Sequence, residues 1–353
     1  MMLGAVTEGR DNNWQLIRFL AASVVIVFHS YALTNTWGEE PLYRLIPEIA
    51  GGTLGVFAFF VTSGFLVTRS WQQRGRLVSF IAARVLRIYP ALLVAALLTV
   101  ALATWSSTLP WQAFLADPAT QEYAWRAALA WSIVADLPAA YAANPLPHAM
   151  NGSLWTLPVE LRLYVGLAIA GAAGVLGKRY AWTAVVLAFY ALAVTAPDWF
   201  PMWPNTVGTR LFSIYFGLGS LAYVWRDRIP LSLWGLAGTL ALIAANPWGI
   251  VRTALLPPLF TYSVLVIAYH PQLRWQTFNR LGDYSYGLYI YSFPIQQILI
   301  AKLGNPVASS PVLLLTLAFP LALALAAVSW HLLELPAIRL KSRFEGRNLR
   351  FAA

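Results

Sequence analysis

The chain has 353 residues, of which 59% are hydrophobic and only 11% are charged. Soluble domains usually contain about 45–50% hydrophobic and about 25% charged residues, and the mean hydropathy here is +0.61. A water-soluble enzyme of this size could not bury so much nonpolar surface, and a disordered chain would be far more polar, so both classes are excluded. The chain has no cysteine, which excludes a thiol nucleophile, structural disulfides and thiolate metal sites.

Long apolar runs without strand periodicity predict an all-α, polytopic membrane protein with about ten transmembrane helices in one bundle. A span needs about 20 apolar residues, so ten spans use about 200 and leave about 150 for loops and ends. We interpret residues 1–353 as a single membrane domain. The expected spans lie near 15–34, 50–71, 80–104, 155–177, 180–197, 207–225, 231–247, 252–270, 283–303 and 310–335.

The longest predicted outward segment, about 105–154, contains an apolar stretch at 124–135 that is too short to cross a bilayer comfortably. We expect a short interfacial or re-entrant helix there. An eleventh crossing at this point would invert every later loop and spoil the distribution of basic residues described next.

The formal net charge of +10 comes mainly from Lys and Arg in short clusters between apolar segments. One alternate set of loops and a basic tail, 337–353, hold most of these residues, and the opposite loops hold few. This asymmetry is typical of a polytopic protein and places both termini in the cytoplasm. We therefore expect a bilayer as partner and no nucleic acid.

Ionisable side chains within a membrane are functional candidates because their insertion is unfavourable by about 2.5–3.5 kcal/mol. His29 lies eleven residues after Arg18 on the first span, about 16 Å along a helix. Arg18 is therefore expected at the cytoplasmic face and His29 near the middle of the membrane. The alternative for His29 is a structural hydrogen bond to a neighbouring helix.

Two further arginines, Arg84 and Arg87, are three residues apart and share one face of the third span. Ordinary anchoring at the cytoplasmic face is one interpretation. The other is a pocket of three guanidinium groups, formed with Arg18, for a phosphate-bearing ligand, because arginine binds phosphate in a bidentate manner.

Glu160, an acidic residue within the fourth span, is expected about one turn below the outer surface, where it would approach His29. A structural ion pair with Arg162 or Arg210 is the alternative. Asp283 precedes the ninth span and is interpreted either as a site residue or as the N-cap of that helix. Candidates for contacting the acceptor or supporting the site are Tyr164, Trp155, Asp283 and Ser292. His331 and Glu334 are spaced to pair locally, and no spacing of His or acidic residues predicts a metal site.

Several of these elements occur in a fixed order that resembles the acyltransferase-3 family of bacterial integral-membrane O-acyltransferases. The resemblance covers about residues 13 to 341. It departs from the family at Ser292, where many members have a histidine. The matching segments are 18–29, 55–66, 84–90, 153–160, 284–289 and 334–336.

The resemblance implies transfer of an acyl group, usually acetyl from acetyl-CoA, to a carbohydrate hydroxyl. It also implies a catalytic role for His29 and donor binding by Arg18, Arg84 and Arg87. We expect a protein of the bacterial inner membrane whose acceptor is an exopolysaccharide or O-antigen intermediate.

In the expected mechanism, His29 is the general base and Glu160 either orients it or binds the sugar. A variant in which His29 carries the acetyl group transiently stays open. The alternative function is a transporter or flippase of a lipid-linked sugar, which also uses intramembrane charges.

Overall fold

The computed structural model describes residues 1–9, 11–46, 49–130, 136–137, 139–245 and 249–344. Within these ranges the chain is helical and has no strand, only two isolated bridges that join Met2 to Pro230 and Asp136 to Ala149. The predicted all-α class is therefore confirmed. The helices are α1 Trp14–Leu33, α2 Pro41–Leu45, α3 Gly51–Arg74, α4 Leu77–Trp105, α5 Trp111–Ala116, α6 Pro118–Leu129, α7 Thr156–Ala172, α8 Arg179–Thr195, α9 Val207–Val224, α10 Leu233–Ala244, α11 Gly249–Tyr269, α12 Ser285–Leu303, α13 Asn305–Ala308, α14 Pro311–Ser329 and α15 Leu335–Arg339.

Each of the ten predicted spans coincides with one of these helices. By length and composition, four helical stretches of the described chain are long and apolar enough to cross a membrane: Trp14–Leu33, Gly51–Arg74, Leu77–Trp105 and Pro311–Arg343. The count of ten crossings, like the orientation of the termini, stays a prediction.

Two predicted segments fall partly outside the described residues. Helix α6 covers the beginning of the expected short helix at 124–135, and residues 131–135 lie outside the described chain. The basic tail begins with α15 and a 3-10 turn, Leu340–Arg343, and residues 345–353 lie outside the described chain.

The chain forms two compact units, each assembled from three separate stretches. The first unit contains Met1–Ala21, Leu54–Leu77 and Val159–Gly282, and the second contains Ala22–Thr53, Val78–Pro158 and Asp283–Ala353. That the whole chain acts as a single membrane domain stays a prediction.

Helices α3 and α9 approach each other closely in the first unit because each presents a glycine to the backbone of the other. A Cβ atom on Gly64 would overlap the carbonyl oxygen of Phe216, and one on Gly219 would overlap the carbonyl oxygen of Val61. Small residues at such crossings allow the close packing that holds membrane helices together. The second unit has a similar contact, where Gly287 of α12 lies against Ala326 of α14.

We predict that Gly64→Ala and Gly219→Ala each destabilise the protein by about 1–3 kcal/mol, because the added methyl group forces two backbones apart. Gly238→Ala is the matched control, since a Cβ atom on this helical glycine meets nothing within 4 Å. Unfolding in detergent, followed by tryptophan fluorescence, measures the effect. Unfolding of Gly64→Ala at the wild-type midpoint would contradict the packing described here.

Candidate active site

Helix α12 of the second unit is buried along most of its length. Pro294 lies inside it, and a proline has no N–H to donate to the carbonyl group four residues earlier. That carbonyl belongs to Ile290, and it accepts a hydrogen bond of 2.9 Å from Nδ2 of Asn151. The proline therefore opens an acceptor in the helix, and an asparagine side chain from another part of the unit satisfies it.

Asn151 also shapes the turn that precedes α7. Its Oδ1 accepts a hydrogen bond of 3.1 Å from the backbone N–H of Ser153. Between these two residues, Gly152 lies directly against the ring of Phe293, where a Cβ atom would come within 2.5 Å of Cε2. The turn is thus held on α12 by one polar bond and one close apolar contact.

Two neighbouring glutamines on α12 bind other parts of the second unit. Nε2 of Gln296 donates to the carbonyl oxygen of Ile26 at 3.1 Å and to Oγ of Ser30 at 2.7 Å, both on α1. Gln297 donates to the carbonyl oxygen of Ala149 at 2.8 Å. Because both amides are buried, these bonds define how α1 and the segment before the turn lie on α12.

His29 is placed beside this network. Its imidazole meets the ring of Phe293 edge to face, with ring centroids 5.0 Å apart, and the residue is 9% exposed. Its Nδ1 is buried and makes no hydrogen bond to any residue that the structure describes. Phe293 therefore contacts both His29 and the Asn151–Ser153 turn.

Two other predicted site residues of the second unit have different surroundings. Ser292, next to Phe293, is fully buried, and its Oγ has no hydrogen-bond partner in the described part of the chain. Trp155 precedes α7 and is 44% exposed. Their suggested roles as acceptor or support residues stay predictions.

Arg87 forms a buried ion cluster with two carboxylates of the second unit. Its Nη2 lies 2.7 Å from Oδ2 of Asp283, and its Nη1 lies 2.6 Å from Oε2 of Glu334. The guanidinium carbon also lies 5.5 Å from the ring centroids of Tyr286 and Trp330. Trp330 and Glu334 begin and end a π-helical turn, which presents both side chains to the arginine.

The carboxylates of this cluster have further partners. Ser285 donates to Oδ1 of Asp283 at 2.5 Å, and Ser329 donates to Oε1 of Glu334 at 3.1 Å. The N-cap residue of α12 is Tyr284 and not Asp283, so the N-cap interpretation was wrong by one residue. The expected local pair between His331 and Glu334 is replaced by a contact of 3.2 Å between His331 Nε2 and Tyr284 OH.

The remaining predicted donor-binding arginines are Arg84 and Arg18. The guanidinium of Arg84, one turn before Arg87 on α4, lies 5.9 Å from the ring centroid of Phe80. Arg18 lies in the N-terminal half of α1 and belongs to the first unit. The three-arginine pocket stays a prediction.

Glu160 and Tyr164 belong to the first unit and lie together on α7. Oε1 of Glu160 accepts hydrogen bonds from the hydroxyl of Tyr164 and, at 2.5 Å, from Oγ of Ser63. The two hydroxyl oxygens are 3.2 Å apart. Tyr164 thus supports Glu160, and in the described part of the chain the hydrogen-bond donors to this carboxylate are hydroxyls rather than the arginines considered from the sequence. A pairing of Glu160 with His29 stays a prediction.

Sequence reasoning missed Ser63 as a partner of Glu160 and Gln296 as a partner of α1. It also missed that Glu334 belongs to the ion cluster of Arg87. A serine gives no signal by itself, although Ser63 lies within the recognised 55–66 segment. Gln296 could have been suspected, because an amide within an apolar span needs an internal partner.

We predict that Arg87→Ala destabilises the protein by about 3–5 kcal/mol, because it leaves two buried carboxylates without their counter-ion. Arg84→Ala is the matched control on the same face of α4. Combining Arg87→Met with Asp283→Asn and Glu334→Gln should restore most of the lost stability. Thermal unfolding in detergent measures all three variants, and wild-type stability of Arg87→Ala would contradict a structural role for the cluster.

Comparisons with known proteins identify the family. The model of the acyltransferase-3 family, described as an acyltransferase domain, matches residues 11–331. An O-acetyl transferase of Shigella phage Sf6 is 30% identical over 336 residues, which cover 92% of this chain and 95% of the relative. Nodulation protein 10 of Rhizobium leguminosarum bv. viciae is 27% identical over 396 aligned positions, which cover 98% of each chain. No solved structure gives a significant match. The chain therefore belongs to the acyltransferase-3 family and is an acyltransferase of the membrane.

Proposed function

We propose that this acyltransferase moves an acetyl group from acetyl-CoA to a hydroxyl group of a carbohydrate, an exopolysaccharide repeat unit or an O-antigen intermediate. The similarity to an O-acetyl transferase over almost the full length of both chains supports the acetyl group and the ester product. The protein would lie in the bacterial inner membrane with both termini in the cytoplasm, in line with the distribution of its basic residues. Acetyl-CoA would then arrive from the cytoplasmic side.

The placement of His29 carries the proposal. Its imidazole is buried beside Phe293, and its Nδ1 has no hydrogen-bond partner among the described residues. A buried polar atom is normally satisfied by a neighbour, and a general base must instead keep a nitrogen available for the substrate. His29 has this property beside a network in which the amide nitrogens of Asn151, Gln296 and Gln297 are bound.

In the proposed reaction, the oxygen of the sugar hydroxyl attacks the carbonyl carbon of the thioester while the imidazole of His29 accepts the hydroxyl proton. The new C–O bond forms, the C–S bond breaks, and the coenzyme A thiolate leaves and takes up the proton. Glu160, held by Ser63 and Tyr164, would serve as an acceptor for sugar hydroxyls or as an orienting carboxylate. Arg18 and Arg84 would bind the phosphates of the donor.

Arg87 has a different part in this proposal from Arg84. Its two terminal nitrogens already bind Asp283 and Glu334, and two carboxylates next to a guanidinium oppose the approach of a phosphate. Arg87 would therefore position α4, and with it Arg84, and would contribute to donor binding only through that position.

We predict that His29→Gln lowers acetyl transfer by about 10²–10⁴-fold, because the amide cannot act as a base. The assay follows alkali-labile radiolabel passing from acetyl-CoA into the glycans of inverted membrane vesicles. His270→Gln is the control, since His270 lies at the end of α11 in a connecting segment. Transfer by His29→Gln at the rate of His270→Gln would exclude His29 as the base.

We also predict that Arg84→Ala weakens acetyl-CoA binding at least about tenfold while the unfolding midpoint stays near that of the wild type. Calorimetry on the detergent-purified protein measures the affinity. Arg228→Ala is the charge-matched control, because the Arg228 side chain is 76% exposed in the connection between α9 and α10. Equal affinities of the two variants would argue against Arg84 as a donor ligand.

A further inference from the structure

Helix α12 contacts the turn of α1 that carries His29 at two points. Phe293 meets the imidazole itself. Gln296, three residues later on α12, binds α1 on both sides of His29 in the sequence. Residues three apart are neighbours on the surface of a helix, so both contacts come from the same side of α12. The proposed reaction does not use the second contact.

This second contact is a closed triangle of hydrogen bonds. Nε2 of Gln296 donates to the carbonyl oxygen of Ile26 at 3.1 Å and to Oγ of Ser30 at 2.7 Å. Oγ of Ser30 in turn donates to the carbonyl oxygen of Ile26 at 3.0 Å. All three residues are fully buried, and hydrogen bonds are strong in an interior of low dielectric constant.

The triangle encloses the turn of α1 to which His29 belongs. Ile26 lies three residues before the histidine, and Ser30 follows it directly. A serine that bonds back to the carbonyl group four residues earlier often bends its helix, and here a donor from α12 binds at the same place. The backbone geometry of this turn is therefore set by Gln296 as well as by α1 itself.

The orientation of the imidazole depends on that backbone. In a Ser-His-Asp triad a carboxylate binds the second imidazole nitrogen and orients the ring. Nδ1 of His29 is buried and has no hydrogen-bond partner in the part of the chain that the structure describes. The contact with Phe293 and the position of the α1 backbone therefore take over this task.

The amide of Gln296 contributes as a donor. A carbonyl oxygen accepts hydrogen bonds and donates none, so the bond to Ile26 identifies the nitrogen of the amide. Its Oε1 is buried and has no partner among the described residues, which is unfavourable. The two donated bonds are thus what the amide adds here, and an apolar side chain of similar length removes both.

We propose that Gln296 is a positioning residue of the acyl transfer: it fixes the turn 26–30 of α1 and with it the imidazole of His29. This inference rests on the proposed role of His29 as general base. A displacement of about 1 Å in an active site can lower the rate about 10²-fold. Gln296 therefore affects the chemical step and not the binding of acetyl-CoA.

The test is steady-state acetyl transfer in inverted membrane vesicles that contain the full-length protein, with radiolabelled acetyl-CoA as the varied substrate. Gln296→Met nearly keeps the length of the side chain and removes both donors. It should lower kcat about 10–100-fold and leave the KM for acetyl-CoA unchanged. Ser30→Ala removes one of the two acceptors and should lower kcat by a smaller factor. It takes the place of Gln296→Met if that variant does not fold.

A double-mutant cycle with His29→Gln separates positioning from a general loss of stability. If Gln296 acts through His29, adding Gln296→Met to His29→Gln lowers kcat no further, because the base is already absent. A loss of folded protein would instead multiply the two effects.

Thr68→Val is the control for stability. It removes a buried hydrogen bond of 2.6 Å to Ser220 in the first unit. It should lower the unfolding midpoint, as Gln296→Met does, and keep the wild-type kcat.

The outcomes distinguish this inference from the proposed function. Wild-type kcat in Gln296→Met would overturn the positioning role, and so would an equal loss of kcat in the presence and absence of His29. Wild-type kcat in His29→Gln would overturn the proposed base, and the positioning role with it.

Discussion

The structure depends on one constraint: polar groups that a helix carries into a membrane must find partners within the protein, because the hydrocarbon core supplies none. Helix α12 shows how this constraint organises the second unit. Pro294 leaves the carbonyl of Ile290 without its helical partner, and Asn151 supplies the missing donor. Gln296 brings two donors into the same apolar interior, and Ile26 and Ser30 on α1 accept them. Each polar group thus specifies which part of the chain must lie against α12.

The same constraint makes a buried polar atom without a partner informative. Near the bound amide nitrogens of Asn151 and Gln296, the imidazole of His29 has a buried nitrogen without a partner among the described residues, as has the hydroxyl of Ser292. Leaving such an atom unsatisfied is unfavourable by about 1–3 kcal/mol, so the arrangement is stable only because the surrounding contacts hold it. In the proposed reaction, a substrate hydroxyl would satisfy this nitrogen.

Arg87 illustrates how burial changes the meaning of a charge. Two arginines one turn apart suggest a phosphate site in the sequence, yet their surroundings differ. Arg87 bridges Asp283, which precedes α12, and Glu334, which follows α14. Arg84, in contrast, lies near Phe80. A buried pair of carboxylates requires its arginine, so Arg87 is committed to joining three elements before any ligand arrives.

Sequence alone determined the helical class, the approximate bounds of ten apolar helices and the family, because hydrophobic runs and ordered motifs are local properties of the chain. It also selected His29 and Glu160, since ionisable residues in apolar segments stand out without any structure. Only the tertiary structure decided their surroundings: that Phe293 meets His29, that Ser63 and Tyr164 hold Glu160, and that Arg87 lies in an ion cluster. These contacts join residues from 97 up to 264 positions apart, apart from the one-turn pair Glu160–Tyr164. Such contacts depend on which helices pack together, and neither periodicity nor composition carries that information.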